Sequence, residues 1–543
     1  MRRNRWCLLV ALALIIGLVA TGCGKGSTSG TSSGAGSDKP VKGGTLHRAF
    51  SYGGDPGSLD PAFVSRIGQS TVSMELFDTL VMFDPVQKKI MPGLAEKWEA
   101  SPDSKEFVFH LRKGAKFHNG REVEAKDVKY TLERLIDPET GSPSVGRWKD
   151  IAGAEDMIAK KAKEVKGIQT PDKYTVKISL DRSNPIFLIS LSSTSAGIVP
   201  KEAVDKYGKD FGHNPVGSGP FIFESWKIDD RIIIKANDSY WGGRPYVDKV
   251  EYRVLPEAST REAEFLAGNL DYIVLSDAQY RQYSADPKWK NNLLEVAELF
   301  TREIGFNVTK APFDKKEVRQ AVNYAIDKNA IIKNVLGGKA FPATGVLPPS
   351  IAGYNPELKG YEYNVAKAKE LLAKAGYPNG FEAEILCTDN KSWGLPAVEA
   401  TMQYLSAVGI KLKPMLMDGN AMTDKLRRGD FTSYMYSVGS ETHPLAYVYY
   451  RFHSKNATGN FMKYSNPAVD KLLDEAMATS SFDEQVKKVQ EAEKIIVEDA
   501  PWFFFNYNKA VVMYQPWLKG LKQTPNDMDL QEMKDVWLTK TKK

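Results

Sequence analysis

The residue types that carry out chemistry are present in this chain but scattered. The six histidines, His47, His110, His118, His213, His443 and His453, fall in no H-E-x-x-H pattern, and Cys7, Cys23 and Cys387 form no C-x-x-C pair. No dedicated metal site is therefore predicted. No G-x-x-x-x-G-K-[ST] loop is present to cradle nucleotide phosphates. One G-x-S-x-G match exists, Gly30-Thr31-Ser32-Ser33-Gly34. A nucleophile elbow needs a strand before it and a helix after it. This match instead lies in residues 24–38, where 12 of 15 residues are Gly, Ser or Thr, the composition of a flexible tether. Carboxylates are abundant but show no catalytic pairing. What remains is the chemistry of binding. Tyr434, Tyr436, Tyr447, Tyr449, Tyr450 and Phe452 cluster around Gly439, Ser440, Glu441, Thr442, His443 and Pro444. The spacing of two in Tyr434/Tyr436 and in Tyr447/Tyr449 predicts each pair on one strand face, either as core or as the wall of a ligand cleft.

The elements that must hold these residues begin after a leader. Met1–Gly22 has a basic head (Arg2, Arg3, Arg5) and an apolar run from Trp6 to about Ala20. That run is short for a bilayer span of ~20 apolar residues and suits a removable signal peptide. Ala20-Thr21-Gly22-Cys23 resembles the bacterial lipoprotein signal, with Ala20 where that signal usually has Leu. The resemblance implies cleavage before Cys23 and lipidation of its thiol, the tether following. Cys387 is then left alone behind Ile385-Leu386, read as a buried strand residue and not a nucleophile.

The 543 residues are 42% apolar and 26% charged, which excludes a multi-spanning membrane protein and a disordered chain. Without the leader's three arginines the net charge falls from +6 to +3, giving no support to nucleic-acid binding. Phe107, Phe109 and Leu111, and Tyr174, Val176, Ile178 and Leu180, alternate as half-buried strands; Trp502–Phe505 reads as a fully buried one. Asp314 and Glu317 suggest a capping box ahead of Val318, Ala321, Val322, Ala325 and Ile326 at helical spacing. Asn466-Pro467 starts a helix, and Lys374-Ala375-Gly376-Tyr377-Pro378 ends one. The fold class is α/β or mixed α+β.

Several segments then assemble in order. They are Pro56–Pro61 (PGSLDP), Leu94–Glu99 (LAEKWE), Phe109–His118 (FHLRKGAKFH) with Gly120, and Ala125–Val128 (AKDV). Pro215–Phe221 (PVGSGPF), Tyr240-Trp241, Lys310–Phe313 (KAPF), Val318–Ala321 (VRQA) and Ala325–Asp327 (AID) follow. Together they resemble the extracytoplasmic solute-binding proteins of the peptide/nickel ABC-transporter family, over nearly all of residues 44–540.

That resemblance implies a two-lobed binding-protein fold with a hinge-closed ligand cleft. Lobe 1 would comprise 44–78, 186–303 and 504–543, an inserted subdomain 79–185, and lobe 2 304–503, behind a signal peptide 1–22 and a lipidated tether 23–43. It implies a non-enzymatic, monomeric binder without cofactor or metal. The binder is held at the membrane by its lipid and hands a peptide or related solute to a permease driven by ATPases on other chains. A nickel chelate, haem, an oligosaccharide or a modified amino compound is the alternative cargo, and a secreted hydrolase the distant one. Tyr52, Trp393, Tyr436, Gly439, Ser440, Glu441 and His443 are the expected ligand-binding residues. Gly217, Gly219 and Pro220 are expected to shape the turn into Phe221–Phe223, and Leu59-Asp60-Pro61 to fix the first lobe near the cleft. Relatives carry a segment like Trp-x-Ala-Asp-Tyr-x-Asp-Pro whose first Asp pairs with a peptide's ammonium. Aligned on Pro444, Ser437 stands at the Trp, Ser440 at that Asp and His443 at the later Asp. The clamp carboxylate is thus missing, and Glu441 replaces it only if the loop turns, because an extended segment points 440 and 441 to opposite faces.

Overall fold

A computed structural model describes residues 39–51, 54–389, 394–439, 441–456, 459–522, 524, 525 and 529–539. The leader, Cys23, the G-x-S-x-G match, Tyr52, Trp393 and Ser440 lie outside the described residues. Helices and strands intermix throughout, as the α/β reading expects.

One sheet runs in the order Thr45–Ala49, Lys249–Arg253, Arg231–Ala236, Phe221–Lys227, its first pair parallel and the rest antiparallel. Its apolar face buries Leu46, Ile232, Ile234 and Val250 against Val72 and Leu76 of the helix Ile67–Leu76. A second, antiparallel sheet joins Ala95–Ala100, Glu106–Leu111, Thr175–Ser179 and Ile168–Asp172. Here Phe107, Phe109, Leu111, Val176, Ile178 and Leu180 all face one core, as their alternation predicts.

Polar groups fasten these two bodies together. Asp60 caps the short helix Pro61–Phe63 and takes both guanidinium nitrogens of Arg134, at 2.8 and 2.5 Å, from the helix Ala125–Ile136. The buried Asp78 carboxylate accepts from the Tyr240 hydroxyl at 2.8 Å and the Trp241 indole at 2.9 Å, which explains the adjacent aromatics. Gly217 and Gly219 serve close approach as well as the bend at Gly219-Pro220 that enters the strand Phe221–Lys227. A Cβ would stand 2.0 Å from the Leu76 carbonyl oxygen at Gly217, and 2.5 Å from that of Glu75 at Gly219.

The largest sheet has the order Tyr272–Val274, Trp502–Tyr514, Leu293–Phe306, Ser433–Gly439, Phe381–Cys387, Ile410–Leu416, and Ala340–Pro342 also pairs with Trp502–Tyr514. Its two long antiparallel strands thread separate cores. Leu294 and Val296 with Ala510 and Val512 pack in the core of the first sheet. Ile304, Phe306, Phe503 and Phe505 pack on one face of the far half, and Leu299, Trp502, Phe504 and Tyr507 on the other. Pairing between the two strands breaks between Ala297 and Thr301. The buried run from Trp502 and the buried Cys387 stand as expected.

Two expectations need correction. Tyr447 and Tyr449 belong to the helix Pro444–Phe452, not a strand: Leu445, Val448 and Phe452 recur at helical spacing on its buried side. Asp314 and Glu317 form no capping box. The Asp314 N–H bonds back to the Lys310 carbonyl, Lys315 is the capping position, and Glu317 pairs with Lys374 at 3.1 Å. Asn466 does cap its helix, and Gly376 closes the helix Val365–Lys374 with φ +86°.

Candidate functional site

Three strands of the large sheet, Ser433–Gly439, Phe381–Cys387 and Ile410–Leu416, lie parallel and end at a common edge. After Cys387 the chain enters the helix Leu395–Ser406, packed on the face that holds Ile385, Cys387 and Met435. After Gly439 it enters the helix Pro444–Phe452, packed on the opposite face with Leu386 and Tyr434. Adjacent parallel strands whose continuations leave to opposite faces open a crevice at their carboxyl ends, the place where such sheets bind ligands. Trp393 belongs to the first of these two connections; Gly439, Ser440, Glu441 and His443 belong to the second.

The second connection is well braced. Tyr436 is half-buried, its ring 6.3 Å from Tyr434 and 6.2 Å from Phe461, so the Tyr434/Tyr436 pair does share a face. Gly439 stands opposite Phe300, where a Cβ would come within 2.0 Å of the Leu299 carbonyl oxygen. Glu441 turns toward the helix and pairs with Arg451 at 2.7 Å. Arg451 also donates to the carbonyls of Tyr447 at 2.7 Å and Gly439 at 3.3 Å, with its guanidinium 4.4 Å from the Tyr447 ring centre. His443 is buried, its Nδ1 accepts the Leu445 N–H, and burial pushes its pKa down to about 4. Tyr447 is a brace, its hydroxyl accepting the Thr301 N–H at 3.2 Å and donating to the Val438 carbonyl at 2.9 Å. Tyr450 is exposed and feels the charges of Glu441, Asp150, Arg147 and Arg182.

On the first body, Ser51 next to Tyr52 donates through its N–H and hydroxyl to Asp529, at 3.0 and 2.8 Å. Buried Arg48 donates to the Asp529 carbonyl at 2.8 Å and lies about 5 Å from the ring centres of Tyr252 and Tyr272. The stretch leading to Tyr52 is thereby tied to the chain's C-terminal segment.

Two residues of this region were not foreseen, Arg451 and Glu303. Glu303 pairs across the strands with Tyr436, so it shares that tyrosine's face, yet it is 0% exposed and neither carboxyl oxygen has a partner. Burial pushes its pKa well above the usual carboxylate range, with Arg451 pulling the other way. No local pattern marks such a residue, because it is the cross-strand register that brings Glu303 beside Tyr436. Among the described residues no cluster of His, Cys, Asp and Glu fits a metal ion.

A family described as bacterial extracellular solute-binding proteins, family 5 middle, matches residues 89–460. Heme-binding protein A of Haemophilus influenzae is 33% identical over 87% of this chain and 89% of its own length. A periplasmic murein tripeptide binding protein in its unliganded open form superposes with a TM-score of 0.82 at 26% identity, covering 92% of this chain and 98% of that one. The ABC transporter-associated periplasmic binding protein of Helicobacter pylori in complex with the peptide STSA gives 0.70 at 30% identity, covering 92% and 99%. These matches, on a fold of two long strands running through separate cores, establish that the chain belongs to the family 5 bacterial extracellular solute-binding proteins, the ligand-capturing components of ABC transporters.

Proposed function

We propose that this protein is a lipid-anchored, monomeric subunit that captures a peptide or a small peptide-like solute in the crevice beyond Gly439 and delivers it to a membrane permease. Segments 44–78, 186–303 and 504–543 act as lobe 1, with 79–185 inserted, and 304–503 as lobe 2. Closure of the lobes over the ligand distinguishes the loaded form for the permease. The leader, Cys23 and the Gly/Ser-rich tether support the anchor.

One observation carries the choice of cargo. The half-buried Tyr436 and the exposed Tyr450 flank the connection from strand to helix in sequence, and its described carboxylate, Glu441, is already paired with Arg451. Such a connection suits the apolar and peptide groups of a short peptide, while an amino terminus meets no standing clamp. The Haemophilus relative is named for haem binding, but here His443 is consumed as a buried helix cap and offers no axial ligand.

Mass spectrometry of small molecules carried by the purified protein tests this reading. Peptide masses recovered unchanged support it; a chemically altered ligand, or a haem chromophore, overturns it. Cys23→Ala should move the protein from membranes to the soluble fraction, and retention after washing would place the anchor elsewhere.

A further inference from the structure

The observation is Glu303, a fully buried carboxyl with both oxygens unpartnered, which feels the charge of an arginine, Arg451, that is committed to another acid. An unsatisfied polar group at full burial is costly and calls for a physical reason. The groups facing it are Tyr436 and Tyr434 on the neighbouring strand and Tyr447 and Arg451 on the covering helix. Arg451 is the cation among them, and its long side chain already bridges the helix to Gly439 at the end of the strand that pairs with Glu303.

We propose that Glu303 is the reserve counter-ion of Arg451, and that a cationic ligand group takes Glu441 while Arg451 turns to Glu303. The charges balance by one proton. In the protein without ligand Arg451 is neutralised by Glu441, and Glu303 holds its proton. When a ligand ammonium pairs with the Glu441 carboxylate, the Glu303 O–H bond breaks, the proton leaves to solvent, and the new carboxylate accepts from Arg451. Buried acids lacking a cation stay neutral, and an adjacent guanidinium favours ionisation, so each arrangement is self-consistent. The consequence rests on the peptide reading above. The Ser440 position lacks a fixed clamp, and affinity for free amines should rise with pH until Glu303 ionises unaided.

The relay itself is tested without any ligand. In infrared difference spectra, wild type minus Glu303→Gln should show a protonated carboxyl band at pH 7. With Glu441→Gln as the common background, the same difference should show ionised carboxylate instead. A carboxylate at 303 in wild type, or an acid that persists in Glu441→Gln, overturns the proposal. In denaturation, Glu441→Gln and Glu303→Gln together should lose more than the two single losses added, because only the double variant strands Arg451; additive losses count against it. Calorimetry at pH 7 in phosphate and in Tris then uses trialanine against N-acetyl-trialanine. Trialanine should release about one proton per site from wild type and none from Glu303→Gln. Trialanine binding without proton release overturns the relay. If neither peptide binds, the cargo reading fails, while the infrared result still decides the relay.

Discussion

Replacing Glu493 by Gln should stabilise the protein, by an amount that grows from about pH 4.5 to about pH 7 and then holds. Glu493 lies on the helix Phe482–Asp499, is 1% exposed, and accepts the N–H groups of Val346 at 2.7 Å and Leu347 at 2.8 Å. It thereby holds the segment that braces the crossing of the long strands, since Thr301 Oγ1 donates to the Val346 carbonyl and Ser350 Oγ to that of Ala297. No cation offsets its burial, which pushes its pKa up to about 7 against the two backbone N–H groups. Below about pH 4.5 both folded and unfolded chains hold the proton. Between there and pH 7 the unfolded chain has lost it and the folded one still holds it, so stability falls as pH rises. Above 7 the full penalty is in place. From 4.5 to about 7, at 1.36 kcal/mol per pH unit, that is about 3 kcal/mol. A glutamine keeps the accepting oxygen and cannot ionise, so the variant escapes the penalty. Urea denaturation of wild type and Glu493→Gln from pH 4.5 to 8.5, taken as a difference at each pH, cancels the titration of Asp78 and Glu75. The difference should grow through pH 7 and then level. A difference that does not change with pH would refute the reasoning, because Glu493 would then be ionised, or neutral, throughout.

Gly439→Ala puts a methyl 2.0 Å from the Leu299 carbonyl oxygen and should cost about 3 kcal/mol by forced backbone movement, read as a lower urea midpoint. An unchanged midpoint would mean the strand end is not packed against Leu299. Asp60→Asn strands Arg134 beside a neutral amide and should cost about 3–5 kcal/mol, with faster proteolysis of the body carrying the helix Ala125–Ile136. Equal proteolysis of both proteins would show that the ion pair does not fasten the two bodies.

Which parts were legible follows from which forces act locally. The alternation in Phe107–Leu111 and Tyr174–Leu180 reports burial on one strand face, and all those residues share one core. Asn466-Pro467 is a backbone device complete within two residues, and it caps its helix as read. The segment after Gly439 was misread because Tyr447-Val448-Tyr449-Tyr450 has strand-like composition, and the decisive signal was Pro444 at the first helical position behind His443. Gly217 and Gly219 invited a turn reading; what also requires glycine there is the end of a helix 140 or so residues earlier in the chain, a contact that spacing does not carry. The same limit hid Glu303 and Arg451. Their meeting depends on a cross-strand register and on where a helix lands, both set by tertiary packing.

The lobe rotation proposed above must be absorbed where the two long strands leave one core for another, and the bonding there narrows the place. On one side of the break the Ala297 carbonyl is held by Ser350; on the other, Thr301 is held by Val346 and Tyr447. Between them Leu299 donates to the Pro525 carbonyl, outside the sheet. The break leaves Glu298, Leu299 and Phe300 without partners in the register between Ala297 and Thr301 on Trp502–Tyr514, and the proposed bend is assigned to them. Close-packed atoms do not compress, so a hinge also needs space beside it. A cavity of about 300 Å³ lies at this spot, lined among others by Ala297, Pro349, Ser350 and Pro525. Gly439 pairs with Phe300 of that same triplet, and Arg451 is bonded to the Gly439 carbonyl. On the proposed relay, a ligand that moves Arg451 would act on the strand end paired with Phe300, and would so couple the charge it carries to the angle between the proposed lobes.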